Sequence, residues 1–325
     1  MSDFKAYPVR FEPIFKERLW GGKKLNTVLN KDVEGEHIGE SWELSGVPGD
    51  VSAIVNGDYK NQSLNELIEA HPKEVLGGSV YERFGKEFPI LIKFIDARLD
   101  LSIQLHPNDE LARERHNSFG KTEMWYVMQA EEDAELIVGF KEPVSKAVYE
   151  EALAEGKLTD LLHYQPVKPG DGFFIQSGRV HAIGAGILLA EIQQTSDVTY
   201  RVYDFDRVDA QGNKRELHTE LALDAMDFGA DRDFEMDYAR TPNQSNNMIA
   251  CPYFTTNYLK AEGEVNLDVA QRGSFTVLMG ISGSSEITVD GHSETLLAGQ
   301  TLLVPAAAER ISVQSSGAEL LEVSV

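Results

Sequence analysis

The sequence predicts a mainly β protein that contains two jelly rolls, with short helical insertions in its N-terminal part. Two observations lead to this prediction. Short runs of β-branched and aromatic residues recur along the chain between Gly, Pro and Asp residues, whereas helical patterns occur only as insertions. In addition, a unit of two strands, a glycine turn and a further strand occurs once in each part of the chain, which suits a jelly roll.

The predicted strands of the N-terminal part are short, and helical patterns interrupt them. The following runs have strand character: 90–95, 101–105, 124–128, 135–140, 172–176, 187–192 and 199–205. Helices are expected at 63–70, 108–116 and 145–155. Ser63 and, three residues later, Glu66 form the pattern of a capping box, which marks the start of the first helix.

The composition of the chain changes near residue 240. From about residue 243 onward Gly and Ser become frequent, and short strands alternate with turns. We therefore predict two domains, residues 1–240 with the helical insertions and residues 241–325 as a second jelly roll. The length of 325 residues, which exceeds that of most single domains, favours the same division.

The second jelly roll resembles a distant copy of part of the first. Two pairs of segments can be laid on one another: 124–139 on 274–290, and 168–175 on 297–304. On this alignment Gly273 falls near the equivalent of Glu123, and Arg310 falls near that of His181. The C-terminal copy is therefore expected to lack the side chains that could hold a metal ion.

The acidic composition limits the possible partners. The chain has 53 acidic and 30 basic residues, which gives a formal net charge of -23. Nucleic acids and anionic membranes both require a basic surface on the protein, so neither partner is expected. A small phosphorylated molecule could still be bound by a few Lys and Arg residues clustered in one cleft.

No targeting or membrane signal is expected. The first residues open no apolar run of signal-peptide length, and no stretch of about 18 apolar residues occurs. The single cysteine, Cys251, excludes an intrachain disulfide and a CxxC zinc site, and we interpret it as a small buried residue. We expect a cytoplasmic protein that is a monomer or a weak homodimer.

The segment around Gln104 and His106 is the most informative polar stretch. Apolar residues at 99, 101, 103 and 105 alternate with polar residues at 100, 102, 104 and 106. In a strand, Gln104 and His106 therefore project from the same face, near the strand end marked by Pro107. Taken alone, such a pair is more often part of a polar strand face in contact with water.

Two further segments supply side chains of similar chemistry. Lys121 and Glu123 share one strand face before a hydrophobic run, and His181 follows a predicted strand among glycines. Each of these alone is more often a solvated or structural residue. With Gln104 and His106 they offer two imidazoles, a carboxylate and a carboxamide oxygen. This set suits a borderline cation such as zinc, with positions left open for substrate or water.

The chain closely resembles the type I phosphomannose isomerases, in their short bacterial form, nearly from end to end. These motifs carry the resemblance: Trp20-Gly-Gly-Lys-Lys-Leu, Gly39-Glu-Ser-Trp-Glu-Leu-Ser, Phe88-Pro-Ile-Leu-Ile-Lys-Phe-Ile-Asp-Ala, Leu101-Ser-Ile-Gln-Leu-His-Pro, Lys121-Thr-Glu-Met-Trp, Gly178-Arg-Val-His-Ala-Ile-Gly and Gln194-Thr-Ser-Asp-Val-Thr-Tyr-Arg-Val-Tyr-Asp. The resemblance implies a cupin fold, with a catalytic first domain that interconverts mannose 6-phosphate and fructose 6-phosphate.

The resemblance also implies a site. One zinc ion per chain is expected in the first domain, with these ligands: Gln104, His106, Glu123 and His181. Arg201, four residues after Asp197, and the lysines Lys93 and Lys121 match functional positions of the family. This chain reads Gly-Lys-Thr-Glu where longer members read His-Lys-Pro-Glu, so any role of that preceding His cannot be transferred.

Isomerisation moves a proton between C1 and C2 of the sugar through a cis-enediol, which requires a base and an electrophile. We expect zinc to act as Lewis acid and template, and Arg201 to stabilise the enediolate or hold substrate oxygens. Lys93 lies in an apolar run, so it must pair with a carboxylate or face the cleft. Lys121 could bind phosphate or shuttle protons, and Ser102 could contact phosphate. A zinc-bound water, Lys121 and Asp197 stay open as the base.

Two other functions stay open. A non-catalytic sugar-binding or regulatory cupin would keep the fold but break the ligand set, whereas all four positions here are chemically competent. An iron- or manganese-dependent cupin oxygenase would favour several histidines with a carboxylate. The set in this chain contains a glutamine and only two histidines, which argues against an oxygenase.

Overall fold

Three antiparallel sheets contain the strands in the computed structural model, which describes residues 4–209 and 211–325. The mainly β prediction is confirmed. Residues 1–3, part of the N-terminal stretch in which no signal peptide is expected, lie outside the described residues. None of the helices in the described ranges has the length and apolar character that crossing a membrane requires.

The bounds of the elements follow the chain. The strands are β1 (Val9–Arg10), β2 (Ile14–Gly22), β3 (Ile38–Leu44), β4 (Ile90–Ala97), β5 (Ile103–Leu105), β6 (Glu123–Ala130), β7 (Glu135–Phe140), β8 (Leu162–Pro166), β9 (Gly172–Ile175), β10 (His181–Ile183), β11 (Ile187–Gln194), β12 (Tyr200–Tyr203), β13 (Ser245–Ala250), β14 (Thr255–Asp268), β15 (Thr276–Ser282), β16 (Ser284–Val289), β17 (His292–Leu297), β18 (Thr301–Val304) and β19 (Arg310–Ser324). The helices are α1 (Lys24–Thr27), α2 (Leu64–Ala70), α3 (Pro72–Leu76), α4 (Gly78–Phe84), α5 (Asp109–His116), α6 (Lys146–Ala154), α7 (Leu158–Leu161) and α8 (Thr219–Ala225).

Two sheets of the N-terminal part pack against each other. The six-stranded sheet has the order β2-β3-β4-β11-β6-β9, and the five-stranded sheet has the order β12-β5-β10-β7-β8. They share one apolar core, to which Trp125 contributes from the first sheet and Leu136 and Ile183 from the second. Because β4 and β11 are buried along their whole length, the polar residues in these strands need partners inside the protein.

The described helices all lie in the N-terminal part, as predicted. At the start of α2, Ser63 accepts a hydrogen bond from the backbone of Glu66, and the Glu66 carboxylate accepts one from the backbone of Ser63 at 2.8 Å. The predicted capping box is therefore confirmed. Asn108 and Ser145 cap α5 and α6 through their side-chain oxygens, which accept a hydrogen bond from a backbone N–H three residues later.

The third sheet connects the two ends of the chain. Its eight strands are β13 to β19 and β1, which pairs with β18 so that Val9 lies opposite Leu303. A large apolar core also joins both parts of the chain, since the ring centroids of Phe88 and Phe275 lie 4.7 Å apart. The division at residue 240 stays a prediction, but the residues on its two sides are packed together.

The glycine turn that the sequence repeats has the same hydrogen bonding in both places. The N–H of Gly170 donates to the carbonyl of Val127, and the N–H of Gly299 donates to the carbonyl of Gly280. Both turn glycines have positive φ angles, 91° and 79°, which residues with a side chain rarely adopt. The similarity of the two segments is therefore a similarity of local structure.

The strand register corrects one detail of the alignment between the two copies. Ile175 lies opposite Glu123, and Val304, the equivalent of Ile175, lies opposite Thr276. Thr276, rather than Gly273, therefore corresponds to Glu123. Gly273 instead lies in the loop before β15, with a φ of 65°.

Candidate active site

Strand β5 brings three of the predicted site residues side by side. Gln104 is the direct cross-strand partner of His181 on β10 and of Arg201 on β12. Directly opposed residues of antiparallel strands point to the same face of the sheet. His106 follows β5 two residues after Gln104 and continues this face, as the alternation in the sequence predicts.

The six-stranded sheet presents further polar residues to the same region. Lys93 on β4 lies opposite Glu191 on β11, which lies opposite Trp125 on β6. Glu123 is the first residue of β6 and, two positions before Trp125, points to the same face. The site is therefore built from both sheets.

His106, Glu123 and His181 form a buried cluster in which the potential ligand atoms all lie within 4.8 Å of one another. The two oxygens of Glu123 lie 3.6 Å from Nε2 of His106 and 3.4 Å from Nε2 of His181. Within the described ranges, none of these four atoms has a hydrogen-bond partner. Buried polar atoms without partners are costly unless a further group binds there, and this donor set fits a divalent cation.

The backbone determines the tautomer of both histidines. Nδ1 of His106 lies 2.9 Å from the carbonyl oxygen of Val198, and Nδ1 of His181 lies 2.8 Å from that of Arg179. A carbonyl oxygen only accepts hydrogen bonds, so each Nδ1 carries the proton and each Nε2 presents a lone pair to the cluster. This arrangement is typical of histidines that bind a metal.

The protonation of the cluster is compatible with metal binding. Burial lowers the pKa of His106 well below its usual value and lowers the pKa of His181 to about 4, so both imidazoles are neutral. Burial and the charge of Glu191 raise the pKa of Glu123 to about 8, and the nearby Lys121 opposes this effect. A bound divalent cation would favour the ionised form of this carboxylate.

The cluster adjoins a cavity of about 460 Å³, a volume that suits a small molecule. Many of the predicted site residues line it: Lys93, Ser102, Gln104, Lys121, His181, Asp197 and Arg201. His106 and Glu123 belong to the buried cluster beside it, and Asp197 lies at the exposed side. All of the predicted site residues thus meet in one region, while their individual roles stay predictions.

Arg201 is held by neutral partners. Its Nε donates to the hydroxyl of Ser102 at 3.1 Å, and its Nη1 donates to the carbonyl of Glu216 at 2.9 Å. The hydroxyl of Ser102 donates in turn to Oε1 of Gln104 at 3.3 Å. Burial and, next, the charge of Arg215 lower the pKa of Arg201, which nevertheless stays charged. A partly buried cation of this kind favours an anionic ligand.

Lys93 both pairs with a carboxylate and faces the cavity, which combines the two predicted alternatives. Its Nζ lies 2.9 Å from Oε1 of Glu191, and Nε1 of Trp125 donates to the other oxygen of Glu191 at 2.9 Å. The Nζ also lies 5.2 Å from the ring centroid of Trp42. Burial alone would lower the pKa of Lys93, but the carboxylates of Glu191 and Glu40 raise it above its usual value.

Several cavity residues are not among those predicted from the sequence: Arg18, Trp20, Glu40, Trp42, Trp125, Glu191 and Arg215. The signal for Glu191 is the same as for Lys93, a charge inside an otherwise apolar run of residues, 187–192 for Glu191 and 90–95 for Lys93. The three tryptophans of the chain all line this cavity, and each belongs to one of the motifs quoted above. Arg215 lies outside these motifs and reaches the cavity only through the fold.

Known proteins match the chain over nearly its whole length. The family model described as phosphomannose isomerase type I, catalytic domain, matches residues 9–144. The chain is 37% identical over 301 residues to a mannose-6-phosphate isomerase of Streptococcus mutans, which covers 92% of this chain and 93% of that relative. It is 36% identical to a probable mannose-6-phosphate isomerase of Bacillus subtilis, with coverage of 93% and 94%.

Solved structures extend this similarity to the fold. The crystal structure of the mannose 6-phosphate isomerase from Bacillus subtilis has a TM-score of 0.88 at 33% identity, with coverage of 98% of this chain and 99% of that chain. A putative mannosephosphate isomerase from Archaeoglobus fulgidus has a TM-score of 0.80 at 23% identity, over 99% of both chains, and supports the fold alone. The similarity includes the two sheets around the cavity and the third sheet.

Proposed function

The chain belongs to the type I phosphomannose isomerase family, and from that premise we propose that its cavity interconverts mannose 6-phosphate and fructose 6-phosphate. Its membership makes it an enzyme, an aldose–ketose isomerase. One observation carries the choice of this cavity: the unpaired ligand atoms of His106, Glu123 and His181 converge beside a space lined by lysines and arginines. Such a site offers a metal to the sugar oxygens and positive charges to the phosphate.

We propose that the metal is one zinc ion, held by these residues: Gln104, His106, Glu123 and His181. The lone pairs of the two histidines and the buried carboxylate support three of the ligands. The position of Gln104 directly beside His181 supports the fourth. Histidine and carboxylate ligands with an open position are typical of catalytic zinc sites. When bound, zinc would polarise the oxygens on C1 and C2 of the open-chain sugar as a Lewis acid.

The proton transfer requires a side chain that can reach both carbons. One base on one face of the cis-enediol can take the proton from one carbon and return it to the other. Lys121, whose Nζ lies 3.7 Å from Glu123, is next to the metal cluster, and Asp197 lies on the wall of the same cavity. These two residues are our candidates for the base.

The remaining polar residues would bind and orient the sugar. Arg201, supported by Ser102, would hold substrate oxygens and stabilise the negative charge of the enediolate. Lys93, kept in place by Glu191, would add positive charge to the cavity wall. The tryptophans lining the cavity are almost fully buried, so they help to exclude water and strengthen these electrostatic interactions.

Two alanine variants with different expected effects test the proposal. His106→Ala should lose both zinc and activity, because it removes a proposed ligand. Arg201→Ala should keep zinc but lose turnover by about a hundredfold or more, because it removes only charge stabilisation. Metal content is measured by plasma mass spectrometry, and activity by a coupled assay from mannose 6-phosphate to fructose 6-phosphate.

A third variant serves as the control for these two. His292→Ala changes a histidine on β17, away from the cavity, and should retain both metal and activity. Full isomerase activity in metal-free wild-type protein would contradict the proposal.

A further inference from the structure

The positive charges around the cavity are not all neutralised. Three of its cations each face a carboxylate, in these pairs: Arg18 with Glu40, Lys93 with Glu191, and Lys121 with Glu123. Arg201 instead donates to a hydroxyl and a backbone carbonyl, and among residues 4–209 and 211–325 it forms no ion pair. Within the same described ranges Arg215, the fifth cation, pairs only with a carboxylate that it shares. Arg201 and Arg215 are therefore the two cavity cations that lack a carboxylate of their own.

Asp204 holds Arg215 in one orientation. Its two carboxylate oxygens accept hydrogen bonds from Nε and Nη2 of Arg215, at 2.7 Å and 2.5 Å. The same carboxylate accepts a hydrogen bond from Nε of Arg207 at 3.1 Å, so it is shared between two guanidinium groups. Asp204 is only 5% exposed, and this pairing leaves Nη1 of Arg215 on the opposite side of the guanidinium. A bidentate pair of this kind restricts the arginine far more than a single contact would.

Arg201 and Arg215 adjoin each other at the cavity. Both line it, and Nη1 of Arg201 donates to the carbonyl of Glu216, the residue that follows Arg215. The charge of Arg215 helps to lower the pKa of Arg201, although burial has the larger effect. In a chain with a net charge of -23, two neighbouring guanidinium groups with less than one carboxylate each require a specific reason. A phosphate group, with its negative charge and three terminal oxygens, is a ligand that a guanidinium group binds well.

We propose that Arg215, positioned by Asp204, grips the phosphate of the substrate. Arg215 is then a binding residue, and Asp204, which does not line the cavity, is a positioning residue. The phosphate end of the sugar would lie at Arg215, and C1 and C2 would lie between Arg201 and the metal cluster. This inference rests on the proposed function, because the proposed substrate carries the phosphate.

The test compares steady-state kinetics of Arg215 variants with those of the wild type. For Arg215→Ala we expect KM for mannose 6-phosphate to rise by roughly tenfold to a hundredfold, because one charge-assisted contact to phosphate is lost. The inhibition constant of inorganic phosphate should rise by a similar factor. In contrast, kcat should change by less than about threefold, because a contact to the phosphate stabilises the bound substrate and the transition state equally. Arg215→Lys, which keeps the charge but not the bidentate geometry, should be intermediate.

The neighbouring residue provides a control with the same change of charge. Lys214 is 64% exposed and pairs with Asp206 on the surface, so Lys214→Ala should leave both constants unchanged. Asp204→Asn should raise KM and the inhibition constant of phosphate while kcat is retained, because Arg215 is then less restricted. A purely structural role of Asp204 would instead lower the melting temperature without a selective change in KM.

The outcomes separate this inference from the proposed function. If the wild type isomerises mannose 6-phosphate but Arg215→Ala and Arg215→Lys keep the wild-type KM and phosphate inhibition, the inference is wrong and the proposed function stands. If the wild type shows no isomerase activity, the proposed function fails. Calorimetric titration with inorganic phosphate then still tests Arg215, and equal affinity in wild type and Arg215→Ala overturns the inference.

Discussion

Lys93 and Glu191 form an ion pair in the interior of the six-stranded sheet. Their side chains are 7% and 5% exposed, and the charged atoms lie 2.9 Å apart. Such a pair compensates for the lost hydration of its charges only while both partners are present. Each residue alone would place an unpaired charge in a strand whose other residues are buried.

The buried pair leads to a prediction about stability. Lys93→Met should lower the free energy of unfolding by about 3–5 kcal/mol, because it leaves the carboxylate of Glu191 without its counterion. The double variant with Glu191→Gln should recover most of this loss. Urea unfolding of the variants, followed by fluorescence, measures these differences.

The same substitution at a surface pair is the control. The side chains of Lys157 and Glu155 are 63% and 50% exposed. Lys157→Met should therefore change the free energy of unfolding by less than about 1 kcal/mol. If Lys93→Met costs no more than Lys157→Met, the buried pair does not have the structural importance assigned to it.

At the scale of elements, α2 shows how a local signal and packing act together. The helix has seven residues, too few to be stable in isolation. Its capping box supplies partners for backbone groups at its start, and Leu64, Leu67 and Ile68 are buried in the core that joins both parts of the chain. The start of the helix is thus determined locally, whereas its stability depends on the rest of the molecule.

The capping box leads to a second prediction about stability. Ser63→Ala removes the oxygen that accepts the hydrogen bond from Glu66 and should cost about 1 kcal/mol in the free energy of unfolding. Ser63→Thr retains a hydroxyl and should cost clearly less. Both variants are measured by urea unfolding, and a threonine variant as unstable as the alanine variant would show that the cap is unimportant.

At the scale of the whole molecule, the apolar core crosses the predicted boundary at residue 240. Phe88 packs on Phe275, and the ring of Tyr126 is stacked on that of Tyr258 with 6.5 Å between centroids. Strand β1, from the N-terminus, lies in the sheet of the C-terminal part. The C-terminal part therefore covers an apolar surface of the part that holds the site.

A truncated chain tests this dependence. Residues 1–240 expressed alone should aggregate or fold loosely, because the core residues around Phe88 and Tyr126 would lose their partners and be exposed to water. Co-expression with a separate 241–325 chain should restore a folded complex. The measurements are solubility, near-ultraviolet circular dichroism and the sharpness of thermal unfolding. A truncated chain with a cooperative transition would show that the first part folds independently.

The sequence predicts local features of the secondary structure better than it predicts which residues meet at the site. Two local features were predicted: the shared strand face of Gln104 and His106, and the helix cap at Ser63. Each depends only on residues a few positions apart, and the structure contains both. The clustering of Glu123 with His106 and His181 joins three separate segments. Before the structure, the chemistry of these side chains suggested the cluster and the resemblance to a family implied it. Arg215 could not be predicted, because no motif marks it.

The sequence by itself determined the β character of the chain, its helix caps, its repeated glycine turn and, through its motifs, its family. Only the tertiary structure decided which side chains meet: Glu191 with Lys93, Asp204 with Arg215, and Phe275 with Phe88. The physical reason is a difference of range. Caps, turns and strand alternation follow from neighbouring residues, whereas strand register and burial depend on all segments that compete for partners.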